Sequence, residues 1–346
     1  MQTVRIVAAW IAALCVLAGT QARAQYSRRT PIVEAVQKTR YSIVTVKVAK
    51  SGRTRDTVGT GVIVDERGYV VTNRHVVHQG TRVTVTFAGG ADVRAQVLAA
   101  DPRCDLAILR LKTPRQLKAL LLAPGSDVMV GETVIAIGHP FGYRNTVSTG
   151  IISALDREVE MPTGDILSGL FQTNSSINPG NSGGPLLNIN GELIGINVAL
   201  RDGAQGIAFA INAGTVQAML KKHLSANKIA GVSHGLSVKE KILAETGSRQ
   251  RVVVADFSAE ACANLKRGDE IVAIAGRAIH NGFDVERALW HTKPGQKVAM
   301  KVVRGHRELT VQLTLLPGEG AGEIAQTQPN AHQRSKQNTV PAGNRK

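Results

Sequence analysis

Three residues are placed where a chain can do covalent chemistry. Ser182 stands in "INPGNSGGPLL" (177–187), ringed by Gly180, Gly183 and Gly184 and followed by Pro185. Glycine serves where the backbone turns left-handed or where another chain must come close. A serine hydroxyl is a weak nucleophile at its own pKa. It needs a base within hydrogen-bond reach and a third group to orient that base. Of the nine histidines, His75 fits best, in "VVTNRHVV", where an alternating apolar run ends in polar residues. Asp105, in "DPRCDLAILRL", sits directly ahead of another alternating run, where a buried carboxylate can accept the Nδ1–H of a histidine. Each alone has an ordinary structural explanation; together, in the order His75, Asp105, Ser182, they supply base, orienter and nucleophile. The backbone N–H groups of Gly180 and Ser182, with Asn181, would form an oxyanion hole. Each such donor is worth about 3–4 kcal/mol to a developing oxyanion.

"GNSGG" also satisfies G-x-S-x-G, the nucleophile elbow of another hydrolase class. That motif demands a helix directly after the serine and its partners downstream. Pro185, a strand and an Asn-Ile-Asn-Gly turn (188–191) follow instead. An esterase or lipase is therefore disfavoured.

The elements that must hold these residues are short strands. "YSIVTVKVAK" (41–50), "VTVTFAG" (83–89), "DLAILRL" (105–111), "ETVIAIG" (132–138) and "TVSTGIISAL" (146–155) carry apolar, strand-like patterns. "GTGVIVDERGYVVTN" (59–73) makes two strands with a turn at Asp65–Gly68, and "ELIGINVAL" (192–200) and "GIAFAIN" (206–212) continue the series. Many short strands with few helices predict an all-β barrel or sandwich. "AGTVQAMLKKHLSAN" (213–227) then changes to helical spacing, and Ser225–Gly235 reads as a linker. A second, mixed unit follows over 235–316. It has strands at 251–257 and 270–276, a helical period over 282–292, and a hairpin over 296–315 turning at Arg304-Gly305-His306. From Pro317 the chain is nearly free of apolar residues and is expected to be disordered.

Length and composition bound the class. At 346 residues, roughly 150 per domain predicts two or three domains. Residues 1–24 have the form of a secretory signal. Arg5 is followed by the apolar run Ile6–Ala18 and a small-x-small site at Ala22-Arg23-Ala24. That run is shorter than the roughly 20 residues a membrane span needs. The expected location is outside the cytoplasm, in the periplasm of a Gram-negative-type bacterium. Cleavage would leave Cys104 and Cys262, too few for a disulfide framework. The formal net charge is +16. It is concentrated over 25–120, with 17 basic against 7 acidic residues, so weak contact with an anionic envelope surface fits. Aromatics make up only 3%, and no nucleic-acid module is expected.

"VVTNRHVV", "DLAILRL" and "QTNSSINPGNSGGPLLN" resemble the three catalytic segments of trypsin-like serine proteases of the HtrA (Deg) family. "IAIGHPFG" (135–142) and "TGIISAL" (149–155) resemble further segments of that domain, and "ACANLKRGDEIVAIAGRAI" (261–279) resembles the centre of a PDZ domain. The resemblance runs from about Tyr41 to Leu316. It implies a mainly β fold: a two-barrel trypsin-like (chymotrypsin fold) protease domain over 41–224, a linker over 225–234 and a small α+β PDZ domain over 235–316. Residues 25–40 would be an N-terminal segment and 317–346 a tail. The triad would lie between two perpendicular six-stranded barrels. The family further implies a homotrimer built on the protease domains, with the N-terminal segment helping the contacts, and no metal or organic cofactor.

Position within this fold puts Ser176 and Ile177 in the primary pocket, facing Asn197, Val198 and Ala199. No aspartate stands there, so cleavage after Arg or Lys is not expected. An apolar floor favours Val, Ala or Leu, which folded proteins bury, so the substrates would be unfolded or misfolded proteins. In the PDZ unit, Gly235, Leu236, Ser237 and Val238 of "HGLSVKE" (234–240) would bind a peptide C-terminus, with Phe283–His291 as the facing helix. Ser237 stands where glycine is common. Asn174, Ser175 and Ser176 replace an acidic and two small residues of many relatives. Loops 156–170 and 201–205 would carry any peptide-driven switch. The rival class is a peptide-sensing chaperone with an idle protease site; an intact triad argues against it.

Overall fold

The computed structural model describes residues 27–50, 56–78, 80–123, 127–139, 146–161, 164–198, 206–243, 249–262 and 264–318. The signal (1–24), Ala199, loop 201–205 and the tail from 319 lie outside the described residues.

The first closed barrel is built from β1 (Ile43–Lys50), β2 (Thr57–Asp65), β3 (Tyr69–Asn73), β4 (Gly80–Thr86), β5 (Asp92–Asp101) and β6 (Leu106–Leu111), in the order β1-β2-β3-β6-β5-β4. The second contains β7 (Thr133–Gly138), β8 (Thr146–Glu160), β9 (Ile166–Thr173), β10 (Pro185–Leu187), β11 (Leu193–Val198) and β12 (Ala208–Asn212), ordered β10-β11-β12-β9-β8-β7. Every pair within each barrel is antiparallel.

The strands bury both faces, and the period of two sorts them. Val44, Val46, Val48, Ile63, Val70, Leu109 and Leu111 cluster in the first barrel. Val134, Ala136, Ile152, Leu186 and Ala210 form a cluster of second-barrel residues. The alternate residues, Val62, Val64, Val71, Ile108, Ile135, Ile137, Leu187 and Ile196, join one core shared by the two barrels. Each such side chain contributes about 1.5–3 kcal/mol on burial. A one-residue slip in β2 or β7 would exchange the two cores, so register is strongly specified.

The N-terminal segment expected over 25–40 contains a helix, α1 (Pro31–Thr39). Thr30 caps it by accepting the Val33 N–H at 3.4 Å, and Pro31 occupies its first turn. It packs on the chain's own second barrel. Ala35 and Thr39 lie against Gly191, whose φ of 73° and missing Cβ make the room. Lys38 Nζ donates to Asn190 O at 3.0 Å.

A short helix, α2 (Arg74–Val77), follows β3. The helical run after β12 divides in two. Asn212 caps α3 (Ala213–His223), and Ser225 caps α4 (Ala226–Ala230), which closes on Gly231 at φ 68°. The expected linker is thus ordered structure. It continues as β13 (Val232–Ser233), which pairs with the final strand β20 (Leu316–Pro317). Between them lie β14 (Leu236–Leu243), β15 (Arg249–Phe257), β16 (Glu270–Ile274), β17 (Arg277–Ala278), α5 (Gly282–Ala288), β18 (Lys297–Arg304) and β19 (Arg307–Thr314). The sheet order β14-β15-β16-β18-β19 leaves β14 at an edge, with α5 beside it.

This unit is keyed into the first barrel by α5. Phe283 and Trp290 enter the core shared by the barrels. Trp290 lies edge-on to Tyr69 at 5.0 Å, takes the Arg67 guanidinium over its ring at 4.0 Å, and donates Nε1–H to Leu224 O at 2.9 Å. Below them lies a buried ion network. Arg67 holds Asp65 through two side-chain hydrogen bonds of 2.7 and 2.8 Å and its backbone N–H at 3.0 Å. Arg287 binds Asp284 at 2.6 Å and Val64 O at 3.2 Å, and approaches Asp65 at 3.7 Å. Arg277 pairs with Glu66 at the edge of the contact.

Candidate active site

Asp105 ends the turn before β6 at a φ of 50°, a left-handed conformation unusual for a residue with a side chain. Four hydrogen bonds hold it there. Its carbonyl accepts Arg74 N–H at 2.9 Å and Asn73 Nδ2–H at 3.1 Å. Its carboxylate accepts the His75 backbone N–H through Oδ1 at 2.9 Å and meets His75 Nδ1 through Oδ2 at 2.7 Å. Asp105 therefore caps the free N–H groups at the start of α2 and orients the ring of the same residue whose amide it holds. Asp105 is buried at 4%, while the His75 side chain is 37% exposed. A carboxylate at Nδ1 directs the exchangeable lone pair to Nε2, the arrangement a general base needs.

Ser182 is 5% exposed, on a loop whose Gly183 packs against Thr72 and Asn73 at the end of β3, just ahead of His75. Its carbonyl accepts Thr60 N–H at 2.9 Å. Gly59 makes the approach possible: a Cβ there would lie 2.7 Å from Val76 Cγ1 and 3.3 Å from Ser182 O. Gly183, at φ 81°, leaves a space that a Cβ would fill to within 2.2 Å of both Thr60 O and Thr72 Oγ1 and 3.1 Å of Asn73 N. Gly184 likewise clears Ile137 O, 2.3 Å from its absent Cβ. These glycines let the two barrels' backbones meet.

The loop Asn178-Pro179-Gly180-Asn181 closes with Asn181 N–H on Asn178 O at 2.9 Å, and Gly180 has φ 102°. Proline second and a positive-φ glycine third are the residues of a type II turn. Asn181, expected among the oxyanion donors, spends its N–H on closing this turn. The candidate donors are then Gly180 and Ser182. No helix follows Ser182; β10 starts at Pro185.

The expected pocket divides. Ser176 is exposed and its carbonyl accepts Ser148 Oγ–H at 2.7 Å, while Ile177 is half-buried against the cluster of second-barrel residues. Asn197 and Val198 point elsewhere. Asn197 clamps the nucleophile loop, donating Nδ2–H to Pro185 O at 2.9 Å and exchanging backbone bonds with Gly183 and Gly184 at 3.0 and 2.8 Å. Val198 belongs to the shared core. Ala199 falls outside the described residues. Asn174 caps the β8 edge, its Oδ1 accepting Ile151 N–H at 2.8 Å. The expected loop 156–170 is mostly strand, because β8 runs to Glu160 and β9 starts at Ile166. Cys104, beside Asp105, is half-buried; burial and the Asp101 charge push its thiol up, away from the reactive thiolate.

In the second unit, Gly235 adopts φ 61°, and its carbonyl accepts Ser258 N–H at 2.8 Å. Ser237 is exposed at a register shift between Ser237 and Val238, and Leu236 and Val238 pack against the sheet's core. The sequence did not single out His234. Its Nδ1 accepts Leu236 N–H at 3.0 Å and its Nε2 meets Glu286 on α5 at 3.3 Å. Burial raises the Glu286 pKa, but His234, the Ala226 N–H and Lys221 outweigh it and hold the carboxyl below its usual range. Among the described residues no cluster of three or more His, Cys, Asp or Glu suits a metal ion.

Residues 59–196 match the trypsin-like peptidase domain family, and residues 195–315 match the PDZ domain family. The chain belongs to the HtrA (Deg) family. Among curated relatives, it is 34% identical over 288 residues to the probable periplasmic serine endoprotease DegP-like of Brucella suis, covering 79% of this chain and 55% of that protein. It is 36% identical over 272 residues to the periplasmic serine endoprotease DegP of Escherichia coli K12, covering 75% and 56%. The chain thus spans about half the length of these relatives. Among solved structures, the HtrA-type protease AlgW with tripeptide aligns at a TM-score of 0.52 with 29% identity, covering 85% of this chain and 100% of that one. The serine endoprotease from Yersinia pestis aligns at 0.50 with 26% identity, covering 85% and 100%.

Proposed function

We propose that this HtrA-family chain is an exported, periplasmic serine endopeptidase that cleaves unfolded or misfolded proteins after small or medium apolar residues. Ser182 Oγ attacks the scissile carbonyl while His75 Nε2 takes its proton. Asp105 holds the imidazole and stabilises the imidazolium. The Gly180 and Ser182 N–H groups receive the charge that develops on the carbonyl oxygen. His75 then returns the proton to the leaving amine, and water repeats the sequence on the acyl-enzyme. The observation that carries the reading is the double grip of Asp105 on His75, at 2.9 and 2.7 Å, beside a glycine-framed serine.

The PDZ unit is read as a sensor of peptide C-termini, binding at the edge of β14 through Gly235, Leu236, Ser237 and Val238. The relatives are named as periplasmic endoproteases, which supports both location and activity. No helix among the described residues is long and apolar enough to cross a membrane. Homotrimer formation stays a proposal from the family, to be read by sedimentation.

The test is degradation of unfolded β-casein by the mature protein and by S182A, with and without a peptide ending in an apolar residue. Loss of cleavage in S182A and stimulation by peptide support the reading. Unchanged casein in every condition, with its aggregation suppressed, favours a chaperone instead.

A further inference from the structure

One buried residue of the first barrel grips both candidate oxyanion donors. Thr60, 0% exposed on β2, donates its backbone N–H to Ser182 O at 2.9 Å and its hydroxyl to Gly180 O at 2.7 Å. The same hydroxyl meets two groups of His139, the residue after β7: its backbone N–H at 3.1 Å and its ring Nδ1 at 3.4 Å. His139 is itself buried, at 2%. The triad does not use it.

The hydrogen-bonding capacity of a hydroxyl fixes the direction of this chain. Thr60 Oγ1 has one proton and two lone pairs. A backbone carbonyl only accepts, so the proton goes to Gly180 O. The His139 backbone N–H only donates and takes one lone pair. The remaining contact is attractive only if His139 Nδ1 carries a proton and donates to the other. The 2.7 Å contact to Gly180 O, much shorter than the 3.4 Å contact to the ring, selects the direction, and with Nδ1 protonated the hydroxyl has no second acceptor at His139.

That matters because of what Gly180 must do. The peptide between Gly180 and Asn181 is held at both polar atoms, its oxygen by Thr60 and its N–H by Asn178 O at 2.9 Å. With that plane fixed, only the two backbone dihedrals of Gly180, whose φ is 102°, separate it from the Gly180 N–H. Glycine has little resistance of its own to reorienting there. A donor aimed wrongly loses most of its value, since stabilisation depends on preorganisation.

We propose that Thr60 and His139 are positioning residues that aim the Gly180 N–H at the oxyanion, an inference that rests on the serine-peptidase reading above. Neither touches the substrate. The chain crosses the molecule: a second-barrel histidine sets a first-barrel hydroxyl, which sets the nucleophile loop.

The test compares wild type, T60V, T60S and H139A. It measures kcat and KM on a fluorogenic peptide with an apolar residue at the cleaved position, and affinity for the matching peptide boronate, whose adduct places an oxygen at the oxyanion position. T60V is expected to lower kcat by about 10–100-fold. KM should change little, and boronate affinity should fall in proportion to kcat. T60S keeps the hydroxyl and is expected to recover to within a few-fold of wild type. H139A is expected to fall between them.

Wild-type kcat and boronate affinity in T60V would overturn the proposal. So would equal losses in T60S and T60V, which would make the methyl group's packing the cause. Should T60V fail to fold, H139A decides, and an unchanged kcat and boronate affinity there overturns the role of His139. A wild-type protein that binds the boronate at Ser182 but cleaves no peptide fails the peptidase reading alone, and the boronate series still judges the relay.

Discussion

Replacing Arg287 with methionine keeps most of the side chain's volume and removes one charge from the joint between α5 and the first barrel. Arg287 is 7% exposed and its partner Asp284 is 0% exposed. Breaking a buried ion pair from one side costs about 3–5 kcal/mol, because the remaining charge stays buried. Here the cost sits at the lower end. Asp284 still accepts His280 N–H at 2.8 Å, and Asp65 keeps all three hydrogen bonds from Arg67. The expected loss is about 3 kcal/mol, or about 4–6 °C in melting temperature for a chain of this size, at an unfolding entropy of about 2.1 cal/mol/K per residue. D284N added to R287M removes the stranded carboxylate and should restore most of that loss. The assay is denaturant and thermal unfolding of wild type, both single variants and the double variant, with R267M at the exposed Arg267–Asp256 pair as control. An R287M loss no larger than that of R267M, or D284N and R287M losses that simply add, would refute the argument that this joint is a coupled buried network.

D105N keeps the shape of the carboxylate but can present an N–H to His75 Nδ1, selecting the wrong tautomer; kcat should fall by about 10⁴-fold with KM nearly unchanged. G183A must hold a Cβ at φ 81°, 2.2 Å from Thr60 O, so both peptidase activity and thermal stability should drop together. Acid should loosen the joint. Burial raises the Asp65 pKa, but Arg67 and Arg287 outweigh it and hold the folded value below the usual carboxylate range. The stability it contributes is therefore complete above the unfolded pKa of about 3.9 and is lost as pH falls through the lower folded value. Urea midpoints of wild type should decline below about pH 4, and D65N should lack that part of the decline while being less stable at pH 7.

The strands nearest the chemistry were legible because they combine two signals. "VIVDERGYVV" gives alternation and turn residues together, and β2 and β3 fall where those signals put them, with the turn at Asp65–Gly68. The polar end of β3 and the start of β6 likewise marked His75 and Asp105. The far half of β8 was missed because "DREVE" faces solvent and carries no apolar period. Its strand is held instead by cross-strand partners such as Ser168 to Glu158 at 3.0 Å and Arg157 to Gln172 at 3.1 Å. The helix α1 was missed because its buried residues are small, Ala35 and Thr39. Val198 was placed in the pocket from its position along the chain, but the alternation of β11 turns it into the core. The Arg287 network and the Thr60–His139 contact join residues 223 and 79 positions apart. No local pattern records such pairings.

The central claim is that Ser182 is a nucleophile made reactive by His75. Intact-mass analysis of the mature protein after exposure to an alkyl fluorophosphonate tests it most directly. One adduct per chain is expected, mapped to Ser182, absent in S182A and formed far more slowly in H75A. An adduct on another residue, no adduct at all, or labelling of Ser182 that is indifferent to H75A would contradict it.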